Sequence, residues 1–158
     1  MKKILLILLC LPLLFTTCKK EEDNTPTNNT GNNSAQTYVP DDGFEQHLID
    51  AGYDNVLDDY VLTANIDIVD SLSVSGNWNV NGGITDLTGI EDFTALTSLA
   101  CGYNQLTILD VSQNTALTYL YCSSNQLTIL DVSQNTALNS LFCFSNFLTS
   151  LDVSNNTA

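Results

Sequence analysis

The sequence predicts a strand-dominated solenoid of the α/β class. A parallel sheet should line one face, short strands or turns the other, and a small helical cap should precede the array. Three observations predict it. The eleven residues LTILDVSQNTA occur at 106–116 and again, unchanged, at 127–137, and a near copy, LTSLDVSNNTA, follows at 148–158. The surrounding chain repeats with a period of 21 residues, the length of one turn in a repeat array. Within each copy apolar and polar residues alternate, which puts the apolar set on one side of an extended backbone.

The N-terminus reads as a targeting segment. In MKKILLILLCLPLLFTTC, Lys2 and Lys3 form a positive start and Ile4–Phe15 an apolar run of 12 residues. That run is too short to span a bilayer as a helix and fits a secretory signal. Ending at Cys18, it resembles a bacterial lipoprotein signal, which implies removal of residues 1–17 and acylation of Cys18. Phe15 and Thr17 depart from the usual residues at their places, and an ordinary secretion signal is the alternative. KKEED directly after Cys18 resembles the export tag of surface lipoproteins of Gram-negative bacteria, implying the outer membrane with the protein on its outside. Residues 18–37 form the expected lipidated flexible tether, since 24–37, nearly all Asn, Thr, Ser, Gly and Gln, has little apolar surface to bury.

The cap is expected over 38–68. PDDGFEQHLIDAG carries an acidic start, Phe44, Leu48 and Ile49 at helical spacing, and Gly52 as a stop; that is a short amphipathic helix with both end signals. YDNVLDDYVL is expected to add a second short helix or a turn. Helical plugs of this kind cover the first face of a repeat array.

The array occupies 69–158, with an imperfect unit at 69–95 and regular units at 96–116, 117–137 and 138–158. In the imperfect unit Val69, Leu72, Val74 and Asn77 take the pattern positions, and an insertion, NVNGG, lengthens it. Each regular unit opens L-x-x-L-x-C-x-x-N-x-L, which resembles the leucine-rich repeat. Each also splits into two similar halves, LTYLYCSSNQ beside LTILDVSQNT, both expected to run extended into an asparagine turn. The nested form with its regular cysteine resembles the internalin-J-like cysteine-ladder repeats of bacterial surface proteins. That resemblance implies a surface-exposed adhesive or protein-binding module.

The recurring residues have structural readings. Leu96, Leu99, Leu106, Leu109, Val111, Cys101 and Ala116 should point inward, and at about 1.5–3 kcal/mol per buried large aliphatic side chain they offset much of a turn's ordering entropy. Asn104, Asn125 and Asn146 form one amide ladder and Asn114, Asn135 and Asn156 another, placed to bond turn backbone. Cys101, Cys122 and Cys143 form a column whose spacing matches no zinc pattern; free thiols packed as small hydrophobes are expected. Asp110, Asp131 and Asp152 form an outward column, a weak calcium candidate against the plainer reading of solvated carboxylates bonded to turn amides.

Positions that vary between copies carry the expected function. Tyr103, Tyr119, Tyr121, Phe142 and Phe144 fall on the outward side of the sheet, and clustered exposed aromatics suggest a contact surface for a protein or glycan ligand. Structural spacer repeats, or an accessory region of a larger exported protein or enzyme, are the alternatives.

Charge narrows the choice. The chain has 18 acidic residues and 4 Lys, a formal net charge of -14, and no Lys or Arg from Glu21 onward. Nucleic acid needs cations to meet its phosphates, so it is excluded as a partner, and membrane contact is expected through the lipid anchor only. His47 is the one histidine; with no nucleophile elbow, HExxH or phosphate loop, the sequence reads as a non-enzyme without a cofactor. The last letter, Ala158, also ends a copy. A finished array needs a polar terminal cap, so a truncated array is expected, and residues 38–158 alone are expected to self-associate.

Overall fold

The computed structural model describes residues 34–76 and 83–158. The signal at 1–17, Cys18, most of the tether, Asn77 and most of the insertion lie outside them.

Four short strands form a parallel sheet in chain order: β3 (Ser71–Ser73), β4 (Ser98–Ala100), β5 (Tyr119–Tyr121) and β6 (Ser140–Phe142). Leu72, Leu99, Leu120 and Leu141 stand in register across it. Each central leucine points into the core while its neighbours point out, and this period-two alternation fixes the register, because a one-residue slip would turn every leucine to solvent. Burial repeats from turn to turn. Leu96, Leu99, Cys101, Leu106, Leu109 and Val111 are buried, as are Leu117, Leu120, Cys122, Leu127, Leu130 and Val132. In the last turn Leu138 is buried, Leu141, Cys143 and Leu148 are half-buried, and Leu151 and Val153 are exposed.

The back halves of the repeats form turns instead of the extended runs expected of both halves. Asp110 Oδ1 accepts the Ser112 N–H at 2.9 Å, and Asn114 N–H closes onto Val111 O at 3.0 Å. These local bonds use the groups that a second ladder would need. The same pair recurs at Asp131 with Ser133 and at Asn135 with Val132.

The N-terminal unit departs from the helical expectation. Gln36–Tyr38 form a strand, β1, beginning within the stretch read as tether, and it pairs antiparallel with β2 (Tyr60–Leu62). YDNVLDDYVL, read as a second short helix or a turn, is an irregular loop followed by strand β2, and a single helical turn, α2 (Thr63–Ile66), comes after it. The cause is alternation: Thr37 and Val61 face inward while Tyr38, Tyr60 and Leu62 face out. Thr37 is locked further by hydrogen bonds to Thr63 and Asp92.

Between these strands lies α1 (Asp42–Asp50), which matches the helix read from the sequence. Phe44 and Leu48 are buried, and the Phe44 ring stacks on Phe93 at 6.3 Å. Gly52, at φ +82, takes the left-handed turn that ends the helix. Glu45 is fully buried because its Oε1 accepts the backbone N–H groups of Asp58 and Tyr60, fastening the 53–60 loop to α1.

Asp41 joins this unit to the array. Its Oδ1 caps α1 by accepting Phe44 N–H at 3.0 Å. Its Oδ2 accepts the Thr85 N–H and hydroxyl, both at 2.8 Å, and Asp86 N–H at 3.1 Å. Burial pushes its carboxyl up, but the hydrogen bonds from Thr85, Phe44 and Asp86 outweigh that and hold it below the usual 3.8. The stabilisation is therefore complete above that value and lost as pH falls through the lower folded value. Asp41→Ala should cost about 1–2 kcal/mol and flatten the acid limb of a Tm-against-pH curve. An unchanged acid limb would show that Asp41 is not the fastening.

Candidate functional site

The array first holds its own backbone. Asn125 Nδ2 donates to Cys101 O in the preceding turn and Cys122 O in its own, each at 3.0 Å, while Oδ1 accepts Leu106 N–H at 3.0 Å. Asn104 repeats the pattern with Val74 O, Cys101 O and Ile84 N–H. Asn146 does so with Cys122 O, Cys143 O and Leu127 N–H. The second column uses the amide differently. Asn114 Nδ2 donates to Ile90 O and Phe93 O, Asn135 Nδ2 to Val111 O and Asn114 O, and Asn156 Nδ2 to Val132 O and Asn135 O. Their Oδ1 atoms are buried with no protein partner.

Cys101, Cys122 and Cys143 are free thiols stacked along the core, the first two buried and the third half-buried. Burial raises all three thiol pKa values, that of Cys122 to about 12. They stay protonated at neutral pH and are poor nucleophiles and metal ligands.

Asp110, Asp131 and Asp152 each turn one oxygen back onto the serine two residues on. The bonds from Ser112, Ser133 and Ser154 lower the three carboxyl pKa values. No group of three or more His, Cys, Asp or Glu side chains able to hold a metal ion is found among the described residues. His47 is exposed on α1 with Nδ1 2.8 Å from Gly43 O.

The five candidate contact residues form one continuous patch at β5, β6 and the loops that follow β4 and β6. Tyr121 lies 6.2 Å from Tyr103, 6.1 Å from Phe142 and 6.2 Å from Phe144 between ring centroids, and Tyr119 lies 5.7 Å from Phe142. The rings meet at tilted or edge-on angles, the arrangement their quadrupoles favour. Tyr103, Phe142 and Phe144 are 42%, 44% and 56% exposed, a large solvent cost for aromatic groups clustered together. The contact with Tyr103 raises the Tyr121 hydroxyl pKa to about 12, so this phenol stays neutral.

Two backbone features place these rings. Tyr103 sits at φ +55, where the later copies have Ser124 at +58 and Ser145 at +55. A bulky aromatic is a costly choice for a left-handed position. Gly102, which sequence reasoning missed, lets the Tyr121 ring lie against the chain: a Cβ there would come within 2.1 Å of Tyr121 Cε1. Its signal was the variable position after each cysteine, Gly102, Ser123 and Phe144. Phe147, 66% exposed beside this region in sequence, was also passed over.

Parallel strands that recur every 21 residues from β4 to β6, with leucine and asparagine columns between them, form a repeat array. The chain is similar to internalin J of Listeria monocytogenes serotype 4b (strain F2365), 41% identical over 105 residues that cover 63% of this chain and 11% of that protein. Its structure is similar to the functional domain of internalin J from Listeria monocytogenes, described as including a cysteine ladder: TM-score 0.67, 42% identity, 78% of this chain and 27% of that one. The internalin-J resemblance holds in both comparisons, and the matched structure is the one described with the cysteine ladder. An internalin (inlF) of Listeria monocytogenes str. 4b F2365 shares the fold at TM-score 0.64 and 23% identity, covering 75% of this chain and 33% of that one. The LVIVD repeat family model matches residues 99–120 and 118–145. The chain thus spans only 11% of the length of the curated relative it matches.

Asn125→Ala would leave the buried Leu106 N–H without its partner and take one donor each from Cys101 O and Cys122 O, which Asn104 and Asn146 still reach. At about 1–3 kcal/mol for the orphaned N–H, the loss should be about 2 kcal/mol in urea unfolding. A loss within experimental error of zero would show that the ladder is dispensable.

Proposed function

We propose that this chain is a cell-surface recognition module that holds its ligand, a protein or a glycan, on the aromatic face of β5 and β6. One observation carries the reading: five contiguous rings are kept partly in solvent at the positions where the copies differ, one on a costly left-handed residue and one seated against a glycine. Stacking alone does not call for them, since the Asn and Leu columns join the turns. Similarity to internalin repeats agrees with surface recognition or adhesion. In this reading the 21-residue turns stack as a solenoid, and α1 with β1 and β2 closes its first turn, which the Phe44–Phe93 stacking supports.

The test is adhesion of beads bearing the full chain to epithelial surfaces and to immobilised glycans. Tyr121→Ala and Phe142→Ala should each lower adhesion about tenfold, as central aromatic contacts do, with Gly102→Ala falling between them and wild type. Unchanged adhesion in all three would favour a spacer array.

Anchoring belongs to the same proposal. Signal removal at residue 17 and acylation of Cys18 would tether the module to the outer membrane, with Lys19–Asp23 directing it to the outer face; the sequence pattern of residues 1–23 supports this. Cys18→Ser should move the protein from the membrane fraction to the soluble one. Retention in the membrane would overturn the anchor.

A further inference from the structure

Resting on the proposed reading of the aromatic face, we infer that its ligand is an electrically neutral glycan chain. Charge is partitioned sharply along this molecule. Residues 41–92 carry twelve acidic side chains, whereas residues 93–158 carry three charged side chains in all, Asp110, Asp131 and Asp152. Those three lie in the back-half turns, each folded onto its own serine, and none belongs to a strand. The outward strand positions from β4 to β6 are Ser98, Ala100, Tyr119, Tyr121, Ser140 and Phe142.

A charged ligand group set on this face would lose water and find no counter-ion, which is costly. An anionic ligand would in addition meet the field of a chain with net charge -14. Most protein partners bring charged side chains to the rim of an interface, where they steer and align the encounter; here strands β4 to β6 have none to answer them. What the face does offer is apolar ring surface interleaved with uncharged hydroxyl groups. Sugars have the matching chemistry: C–H faces that lie on aromatic rings and hydroxyls that exchange hydrogen bonds with tyrosine and serine. The rings follow one another at 5.7–6.2 Å, a spacing comparable to successive sugar units, and the tilt between neighbours of 44–74° suits a chain that twists from one unit to the next.

Calorimetric titration of the full chain tests this with cellohexaose, mannohexaose and N-acetylchitohexaose as neutral probes, and sialyllactose and a heparin hexasaccharide as anionic ones. At least one neutral probe should bind, with affinity changing less than about twofold between roughly 50 and 500 mM salt, because no screened ion pair is involved. That binding should weaken about tenfold in Tyr121→Ala and in Phe142→Ala, the latter a partly exposed position, and be unaltered in Asp131→Asn. Preference for an anionic probe, a steep salt dependence, or no binding of any neutral probe would overturn the inference. Loss of surface adhesion in Tyr121→Ala without saccharide binding would leave the aromatic face standing with a protein ligand. Saccharide binding indifferent to both aromatic substitutions would overturn the face itself.

Discussion

Each amide of the Asn104, Asn125 and Asn146 column binds two neighbouring turns at once. Its Nδ2 reaches a carbonyl in its own turn and one in the turn before, and its Oδ1 holds an N–H of that earlier turn. A parallel strand of three residues satisfies little backbone by itself, and the bend that follows would bury unpaired groups. The asparagine removes that cost at the same place in each turn. Only then can the leucines stack in register and the thiols between them behave as small apolar groups.

This arrangement divides the repeat into constrained and unconstrained positions. Residues facing the core must match the shape of the same residue one turn away, so the back half recurs as LTILDVSQNTA. The outward strand residues have their backbone bonded to neighbouring strands, and their side chains point away from the core, so they need not repeat from copy to copy. Aromatic rings enter there after β4: Ser98 and Ala100 in β4 give way to Tyr119 and Tyr121 in β5, and Phe142 stands beside Ser140 in β6. Gly102 and the left-handed Tyr103 bend the loop after β4 so that the Tyr103 and Tyr121 rings meet. The acidic residues crowd instead into the N-terminal unit and the first turn, where several serve as hydrogen-bond acceptors. Asp41 ties α1 to Thr85, Glu45 ties α1 to Asp58 and Tyr60, and Asp92 ties back to Thr37.

Much of the array was readable beforehand because its contacts are periodic. Leu99 meets Leu120 for the same reason that Leu120 meets Leu141, and a 21-residue period announces every such contact. The aromatic neighbours Tyr121 and Phe142 followed from the same register. The back half was harder to read. LTILDVS alternates like a strand, yet its Asp turns locally onto Ser, and alternation alone does not show which hydrogen bonds will win. The N-terminal unit was harder again. Gln36 and Thr37 sit in a polar stretch resembling tether, and YVL is too short to announce a strand without its partner.

Sequence alone determined the turn length, the inward leucines, the identity of the stacked columns and the scarcity of charge on the strand face, since each is a property of spacing and composition. Three-dimensional folding decided the β1–β2 pairing, the Asp41 link to Thr85 across 44 residues, the burial of Glu45 and the seating of Tyr121 on Gly102. These contacts join unlike segments once only. A contact made once leaves no period to read, and its energy exists only when the two surfaces have been brought together.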